Sequence, residues 1–152
     1  MPNSRNKPWE YLEERFGVDR DSLPGHEIVK RSGAYWMISK DSKEFLDDLE
    51  VETAGFRLLR ITKYGLKPTT YGLQFLEDQI RDNIVELSDE ELQKMLNRNG
   101  MLDRDMEKGY VALKHEGDLI GCGFYMDGVV SSRIPKGRSQ ELYNLMDLDD
   151  SN

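Results

Sequence analysis

The side chains in this sequence best equipped for chemistry are two clusters of cations. Between Gly55 and Thr70 stand Arg57, Arg60, Lys63 and Lys67 with no acid among them; between Val129 and Ser139 stand Arg133, Lys136 and Arg138, again with no acid. Such groups neutralise phosphates, and the counterions they displace make the binding salt-dependent. Tyr64 and Tyr71 accompany the first cluster and Tyr125 lies near the second; an exposed aromatic ring stacks a nucleobase for roughly 1–3 kcal/mol. Lys67-Pro68-Thr69-Thr70 precedes an expected helix from about Tyr71 to Arg81. Its first N–H groups, with Thr69 or Thr70 as hydroxyl cap and Lys67 alongside, offer a seat for a phosphate. The alternative is that the threonines are plain caps, the tyrosines complete a core and the basic segments serve solubility.

Catalysis has no comparable support, since an enzyme needs a nucleophile with its base, a metal or a cofactor cradle. The single cysteine, Cys122, lies between two glycines in an expected strand, a place for a small buried hydrophobe. His26, next to Gly25, reads as a surface loop residue, and His115, next to Glu116, as part of a solvated hairpin tip. There is no Ser/His/Asp set, P-loop or dinucleotide fingerprint, and no Cys/His cluster for structural zinc. No catalytic residue, metal or cofactor is expected. No apolar run approaches the ~18 residues of a membrane span, and the first residues lack the apolar core of a secretory signal. The expected setting is cytoplasmic, and the expected state a monomer.

A formal net charge of −8 opposes nucleic-acid binding, which usually goes with a basic balance. Charge location decides the matter, because exposed charges act over only roughly 8–10 Å. The acids concentrate in Phe45–Glu52, Glu77–Glu91 and Asp147–Asp150, so the pattern suits one basic face and an acidic back. That back supports a second reading: an adaptor docking a basic ribosomal protein or a methyltransferase.

The elements that must position these residues follow from periodicity and punctuation. Pro8 opens a helix that buries Trp9, Leu12 and Phe16 on one face and stops at Gly17. Glu27–Lys30 and Ala34–Ser39 read as strands, the second buried on both faces through Tyr35–Ile38. A short helix is expected over Ser42–Leu49. Gly55–Ile61 alternates imperfectly, with Phe56, Leu58 and Ile61 inward and Arg57, Arg60 and Lys63 on or near the other side. Asn83–Leu87 is a candidate strand. Ser88 and Glu91 form a capping box for a helix to about Asn97, closed by Asn99-Gly100. Met101–Lys108 reads as a charged connection.

A three-stranded meander follows. Tyr110–Lys114 turns through His115–Asp118 into Leu119–Met126, with Ile120, Cys122, Phe124 and Met126 on the apolar face. Gly121 and Gly123 on the other face suggest close backbone approach. Asp127-Gly128 suits a tight hairpin, Val129–Ile134 is the third strand, and Pro135 ends it. Lys136-Gly137-Arg138 is then expected as a flexible basic tip, followed by a short helix over Gln140–Leu145 and a disordered acidic tail, residues 147–152. The fold class expected is α+β: a mixed N-terminal half, residues 1–82, then a small, mostly antiparallel β-barrel over residues 83–146.

The run GYVALKHEGDLIGCGFYMDG, Gly109–Gly128, followed by IPKGRSQEL, Ile134–Leu142, resembles the small C-terminal domain of the Fmu/Nop/Sun (RsmF-type) RNA cytosine-C5 methyltransferases. The resemblance extends upstream to PWEYLEERFG, GAYWMIS, GFRLLRI and LKPTTYG, hence to most of the chain. It implies a PUA-like, RNA-binding barrel and likens the chain to stand-alone members of the group. The chain has neither the Pro-Cys nucleophile nor the glycine-rich cofactor fold of the full methyltransferases. The function implied is non-catalytic binding of structured RNA, rRNA or tRNA, in ribosome biogenesis or RNA modification, with a methyltransferase or ribosomal protein as a further partner. The resemblance bears most directly on Arg133, Pro135 and Lys136, which lie within the matched motif.

Overall fold

A computed structural model describes residues 7–43, 54–97 and 101–150. The chain divides into two compact units, Met1–Asp82 and Asn83–Asn152. The class is α+β with mostly antiparallel sheets, one of them curled into a half-barrel.

In the first unit, α1 (Lys7–Phe16) buries Trp9, Leu12 and Phe16, the face its spacing requires. Gly17 ends it at φ +68°, with no room for a side chain: a Cβ there would lie 2.7 Å from Asp82 Oδ2. A four-stranded antiparallel sheet follows in the order β1 (His26–Arg31), β2 (Ala34–Ser39), β3 (Phe56–Thr62), β4 (Gly65–Pro68). Ala34 to Ile38 are all buried, as a strand covered on both faces demands. α2 spans Lys40–Lys43; the rest of the helix expected over Ser42–Leu49 lies outside the described residues, as do Asn99 and Gly100.

The inward pattern of β3 differs from simple alternation. Leu58 and Leu59 are both buried, whereas Ile61 is 37% exposed. The cause is a bulge: Tyr35 pairs with Leu59 and Trp36 with Arg57, so Leu58 is an extra residue in the ladder. The helix expected over Tyr71–Arg81 is also shorter. α3 covers Thr70–Phe75, and a 3₁₀ turn over Glu77–Gln79 replaces its remainder.

The second unit is a five-stranded sheet in the order β5 (Ile84–Leu87), β7 (Gly109–His115), β8 (Asp118–Met126), β9 (Val129–Ser132), β6 (Met101–Asp103). Only β5 and β7 run parallel. β6 falls within the segment expected as a connection; it forms an edge strand by pairing Leu102 with Val130. α4 (Asp89–Leu96) is capped by Ser88 and Glu91 in the reciprocal box, and Leu92 and Met95 are buried.

β8 reverses the expected assignment of faces. Tyr125 points into the core, and Ile120, the extra residue where the ladder shifts between Leu113 and Lys114, packs against it; Phe124 is half-buried and Met126 is 43% exposed. Gly121 and Gly123 belong to the core side. A Cβ at Gly121 would sit 2.5 Å from Ile134 Cγ1, and one at Gly123 would lie 3.1 Å from the Ser131 carbonyl and 3.0 Å from Leu113. The interior over this strand is thus filled by its neighbours' side chains, and glycine admits them. Cys122 is buried.

Pro135 is followed directly by α5 (Lys136–Asp150), so the expected loose tip at Lys136–Arg138 is a helical turn. Pro135 lacks an N–H where none is needed, and its carbonyl accepts the Ser139 N–H at 2.9 Å. The helix continues past Leu145 to Asp150, and Leu142 and Met146 pack on the core. Among the described residues no helix is long and apolar enough to cross a membrane.

Two outcomes follow for stability. Gly121→Val should destabilise the second unit by about 1–3 kcal/mol through overpacking, read as a lowered thermal midpoint; wild-type stability would contradict the packing at Ile134. Glu91 accepts 2.6 Å and 3.0 Å hydrogen bonds from Arg104 Nη2 and the Ser88 N–H. The Arg104 bond first, then the Ser88 N–H, holds its carboxyl below the ordinary 4.5. The folded-state value is depressed, so the stabilisation is present above the unfolded value and lost as pH falls through the folded one. Urea unfolding should find Glu91→Gln less stable than wild type at neutral pH, with the gap closing in acid.

Candidate nucleic-acid interface

The bulge at Leu58 determines where the first cationic cluster points. Side chains three apart on a regular strand face opposite ways. Here Arg57 pairs with Trp36 and Arg60 with Ala34; Trp36 and Ala34 share a face, so Arg57 and Arg60 do too. Lys67, the partner of Arg60 on β4, joins them. Arg57 lies over the Trp36 indole at 5.4 Å, a cation–π contact. Together with Ser32, Gly33 and Thr62, the two arginines line a shallow depression of about 310 Å³.

Thr69 holds the bulge in place. Its hydroxyl donates to the Arg57 carbonyl at 2.7 Å, with the Leu58 carbonyl at 3.2 Å, and its N–H donates to Leu58 O at 3.1 Å. The same oxygen accepts the Gly72 N–H at 2.9 Å and caps α3. Gly72 lets the helix approach, since a Cβ there would meet Leu58 O at 2.7 Å. Thr69 is thus committed to internal bonds. Thr70, half-buried, begins a helix only six residues long. The expected phosphate seat is much reduced, because the helix is short and the Gly72 amide is taken.

Lys63 and Tyr64 form the tip of the β3–β4 hairpin. Tyr64 is 88% exposed, and Lys63 Nζ lies 5.1 Å from its ring centroid. Tyr71 is also exposed and packs edge-on against Phe56. Tyr125 is buried in the core and unavailable for stacking. Ion pairs such as Arg104–Glu91, His115–Asp89 and Arg138–Glu141 form elsewhere, and among the described residues none involves Arg57, Arg60, Lys63 or Lys67.

In the second unit, Arg133 stands 5.3 Å from the Phe124 ring, which packs edge-on against Tyr110. Burial pushes the Tyr110 hydroxyl above its ordinary range. Lys136, exposed, opens α5. Arg138 is bonded to Glu141 at 3.2 Å, which offsets its charge.

Three features escape a linear reading. Arg20, Lys30 and Lys40, with Asp21 and Glu27, line a cleft of about 650 Å³ beside the edge strand β1; these cations are scattered in sequence and form no run. His26 is a strand residue packed edge-on against Phe75 at 5.3 Å, not a loop residue. His115 is no free hairpin tip, because its Nε2 lies 2.6 Å from Asp89 Oδ1 and ties β7 to α4. Asp89, His115 and Glu116 bring one donor atom each within 4.8 Å of one another, the grouping among the described residues with the spacing of a cation site. The His115–Asp89 hydrogen bond accounts for its closeness.

With this geometry in view, the chain is similar to a segment of enzymes that methylate ribosomal RNA. Ribosomal RNA small subunit methyltransferase F from Shewanella oneidensis is 24% identical over 113 residues, covering 74% of this chain and 22% of that protein. The protein of the same name from Psychromonas ingrahamii is 24% identical over 134 residues, covering 84% of this chain and 27% of that one. The chain thus spans about a quarter of the length of these curated relatives, as the order of its motifs leads one to expect of a relative of one part of them. No protein-family model matches it.

Thr69→Val keeps the size of the side chain and removes the capping oxygen. It should cost about 1–2 kcal/mol and weaken any binding that uses Arg57 and Arg60 together, while Thr69→Ser restores both. Thermal unfolding and binding measured on the same samples check this.

Proposed function

We propose that this protein is a non-catalytic RNA-binding module with a PUA-like second unit, acting on ribosomal or transfer RNA in ribosome biogenesis or RNA modification. The observation that carries the reading is the bulge-enforced grouping of Arg57, Arg60 and Lys67 on one sheet face, free of ion pairs among the described residues. Cations so grouped meet successive phosphates, and their local field outweighs a distant acidic surplus. Lys63 extends the strip to the hairpin tip. Arg133 and Lys136 form a second set of contacts, and Arg138 contributes less because Glu141 compensates it. Similarity to two small-subunit rRNA methyltransferases supports rRNA as the RNA class. The module holds structured RNA through its backbone and presents it to a partner methyltransferase or assembly step.

The adaptor reading remains as the alternative, resting on the acids of residues 77–91 and 147–150.

Salt titration separates the two. With about four phosphates neutralised, log K should fall against log salt with a slope near about −3. Arg60→Glu with Lys67→Glu should lower RNA affinity at least about ten-fold and flatten that slope, leaving thermal unfolding unchanged. Undiminished affinity in this double variant would remove the sheet-face assignment. Capture of ribosomal proteins that survives nuclease would favour the adaptor.

A further inference from the structure

We infer that Tyr64 is a stacking platform for one unpaired nucleotide, so that the RNA taken by the β3–β4 hairpin carries a bulged or loop base and not an unbroken duplex. This rests on the RNA-binding reading and names the substrate class of that same site.

Tyr64 is 88% exposed, against 4% for Tyr35, 7% for Tyr125 and 63% for Tyr71. Its ring contributes nothing to the core, and hydrated apolar surface of this size is a binding resource. The tip that carries it is stiff. The Thr62 hydroxyl donates to the Gly65 carbonyl at 2.8 Å and accepts the Tyr64 N–H at 3.2 Å. Thr62 and Gly65 pair across the ladder, and Gly65 adopts φ +117° to close the turn. A tyrosine side chain has few torsions to immobilise, so stacking on a pre-formed tip costs little order.

The surroundings match a base with its phosphates. Lys63 Nζ stands 5.1 Å from the ring centroid, polarising the ring and supplying a cation beside the stacked base. The Arg60–Lys67 pair lies two rungs back along the ladder from Thr62–Gly65, about 7 Å at ~3.3 Å per residue. A nucleotide stacked on the tip therefore has flanking phosphates within reach of two further cations. The tip is also uncrowded: nothing lies within 4 Å of a Cβ built at Gly65. A base inside a continuous helix shows only its edge, and RNA readers engage bases splayed from the stack.

The experiment compares a fully paired RNA duplex with the same duplex carrying one bulged 2-aminopurine, by anisotropy and by quenching of that base. The full-length protein is used as wild type, Tyr64→Ala, Tyr64→Trp, and Arg60→Glu with Lys67→Glu. Wild type should prefer the bulged RNA about 5- to 100-fold and quench its fluorescence. Tyr64→Ala should abolish preference and quenching while holding duplex affinity within about two-fold, and Tyr64→Trp should keep both. The inference is overturned if Tyr64→Ala retains the preference, or if wild type binds both RNAs equally. In either case, weaker binding of both RNAs by the double charge variant leaves the RNA reading intact; no effect of that variant removes the sheet-face assignment, and failure of wild type to bind either RNA removes the reading itself.

Discussion

One hydroxyl underlies the arrangement of the first unit. A bulge takes Leu58 out of the ladder and leaves carbonyls turned away from their strand partner, a state that costs free energy in a half-buried place unless a donor is found. Thr69 brings its hydroxyl and its N–H to the carbonyls of Arg57 and Leu58, and its lone pair to the first helical turn. The same atom therefore steadies the strand irregularity, begins α3 and sets which way two arginines point. Gly72 is its necessary companion, since any side chain there would press on the carbonyl that Thr69 serves.

The second unit is governed by a different constraint, the lack of space on the core side of β8. Its large side chains are turned outward or to the strand ends, and the middle is glycine, over which Ile134, Leu113 and Val111 pass. Leu142 and Met146 of α5 seat on the same core cluster. Pro135 completes the device by making the strand stop and the helix start within a few residues.

What the sequence discloses and what it hides divide along local and non-local interactions. The α1 face of Trp9, Leu12 and Phe16, the Ser88–Glu91 box and the Asp127-Gly128 turn depend on neighbours within a few positions. They are readable, and all are present. The two cationic runs are equally plain in the sequence, and Arg57 and Arg60 are expected on or near one side of the strand, but the bulge that lets residues three apart share a face is not legible. It is an irregularity stabilised from twelve residues away by Thr69. The faces of β8 mislead for a related reason: alternation records which residues are apolar, not whose side chains occupy the space. The three-residue β6 carries too little pattern to reveal itself, and the His115–Asp89 pair spans 26 positions.

The charge sequence of α5 has a consequence for the second unit. The helix begins with Lys136 and Arg138 and has no acid in its first turn and no base in its last. Neither end bears the sign that its backbone dipole favours, and the first bears the opposite one. Tertiary packing must therefore hold a helix that its own electrostatics loosen, and dissolved ions, by damping that conflict, should tighten it. Ionic strength would then firm the C-terminal helix even as it screens the exposed cations of the first unit's sheet.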